Sequence, residues 1–158
     1  MSDLTHADEH GRARMVDVSD KAVTHRVATA SGVIHMQRET VHAIRENTVR
    51  KGDVLAVAKV AGIMAAKRTS ELIPLCHPLM LTDVSLTSEL DESLPGVRVS
   101  ATAKTTAQTG VEMEAIVAVS VMLLTIWDMV KGIDNALLIG EIVLTEKRGG
   151  KGGVWVRG

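Results

Sequence analysis

The alternation of apolar and polar positions along this 158-residue chain predicts several β-strands. Val, Ile and Thr are frequent where the alternation is clearest, and glycine 32 interrupts the longest such segment, so a kink is expected there. The sequence DESLPG separates two of the segments and supplies a turn between them. The predicted strands are Met15–Ser19, Val23–Met36, Met80–Leu90, Val97–Lys104 and, as the last one, Leu137–Leu144.

Two helices are predicted in the first half of the chain. Arg38–Glu46 has the pattern of a short helix. Asp53 is a suitable N-cap for a second helix that should continue to about Glu71. Pro74 and Pro78 then exclude regular structure, so a stiff loop is expected around them.

A third, long helix is predicted in the second half. Thr109 and Glu112 have the spacing of a capping box, and Gly132 is a suitable end. The segment 115–130 is apolar on nearly all sides, so it should be the most buried element. Such a helix needs cover on more than its sheet side, which predicts that another subunit packs against it.

The element order β-β-α-α-β-β-α-β predicts an α+β fold. Its later part resembles a ferredoxin-like layout, a mainly antiparallel sheet with helices packed on one face. Neither a repeat nor a second domain is evident, so residues 1–158 are predicted to form a single domain. Residues 1–12 and the glycine-rich end, 148–158, are expected to be flexible.

Composition excludes several classes of function. The net charge is −1 and the only aromatic residues are two tryptophans, so neither a cationic surface nor the stacking platforms of nucleic-acid binders are expected. The longest apolar run, 115–127, would extend about 20 Å as a helix, too short for a ~30 Å bilayer core. One cysteine and a polar N-terminus without an apolar signal core favour a cytoplasmic protein.

The single cysteine, Cys76, lies next to His77 between two prolines. A metal site would need more ligands at a recognisable spacing, and neighbouring residues rarely orient toward each other as a nucleophilic pair. Two interpretations remain: a buried thiol beside an ordinary loop histidine, or a histidine that bonds a substrate or transfers protons from a stiff loop.

Other charged residues allow a structural and a chemical interpretation. Lys51 precedes a helix N-terminus, which is unfavourable for a cation but suits a phosphate site. Asp128 and Lys131 have the i, i+3 spacing of an ion pair or of an acid–base pair in a cleft. Glu114 and Asp128 are separated by roughly 21 Å along one helix, so they cannot share a small pocket of one chain. Further basic side chains, each ordinary alone, could together neutralise a polyphosphate; they are Arg26, Lys67, Lys147 and Lys151.

Four strings resemble the cyclic pyranopterin monophosphate synthase family in the same order along the chain. They are MVDVS (Met15–Ser19), KGDV (Lys51–Val54), IPLCHPL (Ile73–Leu79) and TGVEMEA (Thr109–Ala115). The resemblance implies a ferredoxin-like subunit in a hexamer, a trimer of dimers with sites at subunit interfaces. It also implies conversion of 3′,8-cyclo-7,8-dihydro-GTP to cyclic pyranopterin monophosphate with loss of pyrophosphate, in molybdenum-cofactor biosynthesis.

The resemblance also implies roles for individual residues. Asp128 corresponds to a catalytic position, and Lys51 and Lys131 to essential lysines. The implied substrate-binding residues are Leu75, Cys76, His77, Met113, Glu114, Glu112, Arg26, Lys67 and Lys147. The GGKGG end departs from the GGKS-like form of relatives, so no role is assigned to Lys151.

The mechanistic hypothesis is that Lys51 and Lys131 transfer protons while Asp128 orients Lys131. His77 and Glu114 would hold the guanine-derived ring, and the phosphates would be bound by Arg26, Lys67 and Lys147. No carboxylate cage for a metal is visible, so no tightly bound cofactor is expected, and only Mg²⁺ carried by the triphosphate is left open. The alternatives are a non-catalytic, nucleotide-sensing ferredoxin-like binding module and a metal-dependent hydrolase that uses Cys76 and His77.

Overall fold

The computed structural model describes residues 7–8 and 10–158. The expected flexibility of residues 1–12 falls largely on residues outside this part of the chain. The helices and strands follow in the order β1 (Thr24–His35), α1 (Arg38–Arg45), α2 (Val54–Lys67), α3 (Thr69–Leu72), β2 (Leu81–Asp91), β3 (Gly96–Ala107), α4 (Glu112–Val130), β4 (Leu138–Arg148) and β5 (Val154–Val156).

The strands form one five-stranded antiparallel sheet in the order β2-β3-β1-β4-β5. Each of the two long helices, α2 and α4, connects a strand to a later one, and both pack on the same face of the sheet. The predicted α+β, ferredoxin-like class is therefore confirmed.

Small residues at the centre of β1 let α4 lie close to the sheet. Ala28 and Ala30 are fully buried on the core face. A Cβ atom on Gly32 would lie 2.8 Å from side-chain atoms of both Val119 and Leu123 of α4. The register of β1 against β4 shifts between Ser31 and Val33, on either side of the glycine at which the sequence predicts a kink.

α2 begins as the sequence predicts and ends earlier. The Asp53 carboxylate accepts a hydrogen bond from the Ala56 N–H at 3.0 Å, which is the expected N-cap. The helix stops at Lys67 because Arg68 leaves helical geometry, with φ −109° and ψ 13°. The predicted continuation to Glu71 is instead the separate short helix α3.

α4 is the core helix of the fold. Its Val119, Met122, Leu123 and Ile126 have no exposed surface. α2 packs along it, so a neighbouring helix of the same chain supplies much of the cover that the sequence analysis assigned to another subunit. With 19 residues, the helix is by length and composition alone long and apolar enough to cross a membrane, in contrast to the shorter apolar run 115–127. Half of its most apolar stretch is buried within the fold.

The predicted capping box is not formed. α4 begins at Glu112, with Val111 at the N-cap position and no side-chain capping bond. The Glu112 carboxylate instead folds back over Gly110, where an added Cβ would lie 2.1 Å from its oxygen, and pairs with Lys147 at 3.3 Å. Glu112 therefore forms an ion pair with a distant residue instead of capping its own helix.

The ends of the sheet differ from the prediction. Met15–Ser19 pairs with no strand; its Asp17 accepts bonds from the N–H and hydroxyl of Ser19 and forms a local turn. β4 is not the last strand, because the glycine-rich segment after it turns the chain back into β5. The expected flexibility of residues 148–158 stays a prediction.

Candidate active site

A cavity of about 360 Å³ opens where the proline-flanked loop meets the start of α4; we call it the loop cavity. Three segments build its wall, namely residues 16–21, the loop 75–79 and residues 109–114. Its lining residues are Val16, Val18, Lys21, Leu75, Cys76, His77, Leu79, Thr109, Gly110, Glu112, Met113 and Glu114. Six of the predicted substrate-binding residues therefore lie around one cavity.

Cys76 is a half-buried thiol in this wall. Its N–H donates to the Ile73 carbonyl at 3.1 Å, which closes the turn that the prolines prepare. Burial, and then the nearby charge of Glu114, raise the pKa of the Cys76 thiol above its ordinary value. The thiolate is the nucleophilic form, so this environment disfavours thiol nucleophilic catalysis at neutral pH.

Glu114 is the buried carboxylic acid of the loop cavity, with 4% of its surface exposed. Burial raises its pKa to about 6. The hydrogen bond from its own backbone N–H lowers the pKa, and the nearby charge of Glu112 raises it. A carboxyl group with a pKa near neutrality can both give and take a proton at physiological pH. Glu114 can therefore transfer a proton as well as bind a ring.

A second cavity of about 650 Å³ adjoins the first, sharing Lys21, Thr109, Gly110 and Glu112 with it; we call it the turn cavity. Arg26 of β1 lies in its wall and donates to the Gln108 carbonyl at 3.4 Å. Its remaining lining residues are Asp20, Ala22, Thr24, Gln108, Gly150 and Lys151. Lys147 adjoins this wall through its ion pair with Glu112. The two cavities together form one groove with several cations.

The predicted catalytic residues form a separate cluster at the opposite end of α4. The Lys51 Nζ lies 2.8 Å from one carboxylate oxygen of Asp128, and the Lys131 Nζ lies 2.7 Å from the other. Hydrogen bonds from Lys131 and then Lys51 lower the pKa of Asp128 to about 2. Asp128 therefore stays ionised between two ammonium groups across the neutral range.

The cluster and the groove do not meet within one chain. The 19 residues of α4 extend roughly 27 Å, and Glu114 and Asp128 lie near its two ends. Lys67 is exposed at the end of α2 and lines neither cavity. The predicted binding residues, except Lys67, thus lie around the groove. The predicted catalytic residues form a second group at the other end of α4.

Several cavity residues were not proposed from the sequence. Val16 and Val18 belong to Met15–Ser19, whose alternation suggested a strand, and Lys21 follows that segment. The alternation is real, since Val16 and Val18 both line the loop cavity, but the segment has no strand partner. The MVDVS string was the available signal, because it is one of the four strings that carried the family resemblance.

The structure gives the metal alternative no support. Within residues 7–8 and 10–158, no three His, Cys, Asp or Glu side chains are grouped closely enough to hold an ion. Cys76 and His77 consequently have no third or fourth ligand of these kinds among the described residues.

The fold and the site define a small ferredoxin-like domain whose groove combines several basic side chains with a buried carboxylic acid. Residues 15–150 match the MoaC family, and the chain belongs to that family. It is 59% identical over 153 residues to a protein of Dinoroseobacter shibae named cyclic pyranopterin monophosphate synthase, covering 97% of both chains. Proteins of the same name from Thermoanaerobacter pseudethanolicus and Thermomicrobium roseum are 56% and 54% identical, with 98% and 95% of their lengths covered.

Proposed function

We propose that this chain is a cyclic pyranopterin monophosphate synthase of molybdenum-cofactor biosynthesis. It converts 3′,8-cyclo-7,8-dihydro-GTP to cyclic pyranopterin monophosphate and releases pyrophosphate. The observation that carries the proposal is the identity of 54–59% to proteins of that name over nearly the full length of each chain. The groove supports it, because a triphosphate requires several positive charges, and Lys21, Arg26 and Lys151 line the groove beside Asp20 and Glu112.

The side chains suit the chemistry. Opening the imidazole ring of the purine and closing a pterin ring are hydrolysis and condensation steps, which require proton donors and acceptors. A sugar hydroxyl then attacks the α-phosphorus, its proton passes to a base, and the bond to pyrophosphate breaks. Glu114, with a pKa of about 6, and the two lysines of the Asp128 cluster are the proposed proton-transfer groups.

We propose that the catalytic cluster of one subunit completes the groove of another. The two ends of α4 are too far apart to act on one molecule within a chain. Both long helices also expose apolar side chains that a second copy could cover; they are Val57, Val60, Met64, Leu124 and Trp127. The arrangement expected from the family resemblance is a hexamer, a trimer of dimers, located in the cytoplasm.

No tightly bound cofactor enters this proposal, and Mg²⁺ is expected only as a counter-ion of the triphosphate. Enzyme dialysed against EDTA should therefore keep turnover, with added Mg²⁺ changing mainly KM. Complete loss of turnover on dialysis, restored by one metal, would instead assign a resident ion.

Incubation with the cyclised substrate tests the function directly. We expect stoichiometric pyrophosphate and a cyclic phosphate product identified by its mass. Saturable binding without pyrophosphate release would favour the alternative, a nucleotide-sensing binding module.

A further inference from the structure

A buried carboxylate, that of Asp134, joins the turn after α4 to the start of α1. Asp134 has 3% of its surface exposed. One of its oxygens accepts from the Gln37 N–H at 2.8 Å and from the Thr40 hydroxyl at 2.9 Å. The other oxygen accepts from the Ala136 N–H at 2.8 Å. One side chain therefore links its own turn to a segment 97 positions earlier in the chain.

The surroundings keep this carboxylate ionised. Burial tends to raise the pKa of Asp134, but the hydrogen bonds from Gln37, Ala136 and Thr40 outweigh burial and hold the pKa below its ordinary value. Hydrogen bonds to an ionised acceptor are roughly twice as strong as those between neutral groups. The side chain of Gln37, the N-cap residue of α1, makes no capping bond, so Asp134 supplies the negative charge that this helix N-terminus favours. The link between the two segments is therefore a strong one.

On one side of this link lies the end of α4, which carries Asp128 and Lys131. The chain leaves the helix in a closed turn, because the Ile133 and Asp134 N–H groups both donate to the Val130 carbonyl, at 2.9 and 3.2 Å. Asp134 follows Lys131 by only three positions within this turn. A shift of the buried carboxylate would therefore shift the end of α4 as well.

On the other side lies α1, which leads to Lys51. The segment between α1 and α2 is closed by backbone bonds, among them one from the Gly52 N–H to the Val49 carbonyl at 3.0 Å. Val49 is also buried in the core. This segment holds Lys51 in a fixed position relative to α1. Asp134 thus supports both cations of the cluster, Lys131 through its own turn and Lys51 through α1.

We propose that Asp134 is a positioning residue for the cluster of Lys51, Asp128 and Lys131. By joining α1 to the turn after α4, it holds the two lysines on the two carboxylate oxygens of Asp128. Asp134 is buried and lines neither cavity of the groove, so it acts through the cluster and not on the substrate. The inference rests on the proposed function, which it deepens by adding a residue outside the groove to the proton-transfer machinery.

The kinetics of pyrophosphate release test this role, with every variant assayed well below its unfolding temperature. Asp134→Asn keeps the size of the side chain, but its amide has one oxygen for two segments, so one of the two links is lost. We expect kcat to fall about tenfold and KM to stay within about twofold, because a displacement of about 1 Å impairs chemistry at the cluster more than binding in the groove. An unchanged kcat with a lower unfolding midpoint would make Asp134 purely structural and overturn the proposal. A change in KM larger than the change in kcat would overturn it too.

Thr40 provides a second arm that leaves Asp134 itself intact. Thr40→Val removes the hydroxyl that donates to Asp134 and should lower kcat about fivefold. Thr69→Val is the matched control, since Thr69 is similarly buried and its hydroxyl donates to the Ala66 carbonyl at 3.0 Å, at the end of α2 that is remote from Lys51. It should lower the unfolding midpoint to a similar extent and keep kcat within about twofold of the wild type. Equal losses of kcat in the two variants would overturn the positioning role.

Crystal structures of the wild type and of Asp134→Asn separate this inference from the proposed function. In the variant we expect at least one of the two ion pairs of Asp128, which are 2.8 and 2.7 Å long in the wild type, to lengthen beyond about 4 Å. An unchanged cluster in the variant would overturn the positioning role even if the wild type turns over. A displaced cluster together with a wild type that releases no pyrophosphate would instead overturn the proposed function alone.

Discussion

Lys51, at the start of α2, forms hydrogen bonds with Asp128 at the end of α4 and so links the two helices. Its Nζ donates to the backbone carbonyl of Asp128 at 2.7 Å and to the carboxylate at 2.8 Å. Carbonyls in the last turn of a helix lack intrahelical partners and carry partial negative charge. The lysine is unfavourably placed for its own helix, but it is well placed for the neighbouring one, which the sequence alone did not show.

Replacement of Lys51 by methionine separates its chemical role from this structural one. We expect Lys51→Met to lower turnover at least about 100-fold, the usual range for a lost proton-transfer group. The unfolding midpoint should move by no more than about 3 °C, because the pair is exposed to solvent. Lys59→Met, which changes an exposed lysine of α2, is the control. Near-normal turnover would remove Lys51 from the mechanism.

Mixed oligomers test whether one site uses two subunits. Lys51→Met and Glu114→Gln subunits, each inactive alone, should regain about one quarter of wild-type turnover when co-expressed in equal amounts. Random assembly gives that fraction because a working site needs an intact Lys51 from one subunit and an intact Glu114 from another. A mixture no more active than its parents would mean that both residues of a site come from one chain.

The sheet and both long helices could be predicted because their signals are local. Alternating β-branched residues placed β1 to β4 to within about four positions, although Met15–Ser19 is not a strand and β5 was not predicted. Asp53 marked the start of α2. The proline-flanked loop was also recognisable, since Pro74 and Pro78 restrict the backbone whatever the rest of the chain does.

The differences arise where a distant contact overrides a local preference. Glu112 pairs with Lys147 of β4 rather than capping its own helix. The glycine-rich turn packs closely against Arg26, 123 positions before Gly149, and no local pattern indicates that contact. The separation of the groove from the Asp128 cluster was predictable from helix length, but the surroundings of each were not.

The pH dependence of stability reports on Glu114. Its pKa in the folded protein, about 6, exceeds the ordinary 4.5, so the folded state binds the proton more tightly than the unfolded state does. Stability should therefore fall as pH rises from 4.5 to 6 and stay lower above that. Glu114→Gln lacks this titration and should be more stable than the wild type at pH 8, by on the order of 1 kcal/mol after discounting for solvent in the cavity.

Urea unfolding at pH 4.5 and pH 8 measures this difference. Glu39→Gln is the control, because Glu39 also lies in the first turn of a helix but is exposed. A stability gain that is the same at both pH values would contradict the assignment to Glu114 ionisation.

Cys76 is expected to be dispensable for turnover. Cys76→Ala should keep kcat within about threefold of the wild type, because a thiol with a raised pKa supplies little thiolate. In the wild type, alkylation by iodoacetamide should be slow at pH 7 and accelerate up to and beyond pH 9. Fast alkylation at pH 7, or an inactive but folded Cys76→Ala variant, would restore thiol chemistry as a hypothesis.

The close contact of α4 with β1 at Gly32 should be sensitive to a single methyl group. Gly32→Ala places that group 2.8 Å from Val119 and Leu123, so we expect a loss of about 1–3 kcal/mol in the free energy of unfolding. Gly140→Ala on the adjacent strand is the matched control, because its nearest neighbour, the His35 ring, would be 3.8 Å away. Alanine is otherwise favoured over glycine within a strand, so the control should be neutral or slightly stabilising. Equal effects of the two substitutions in urea unfolding would mean that helix–sheet contact at Gly32 is looser than its geometry indicates.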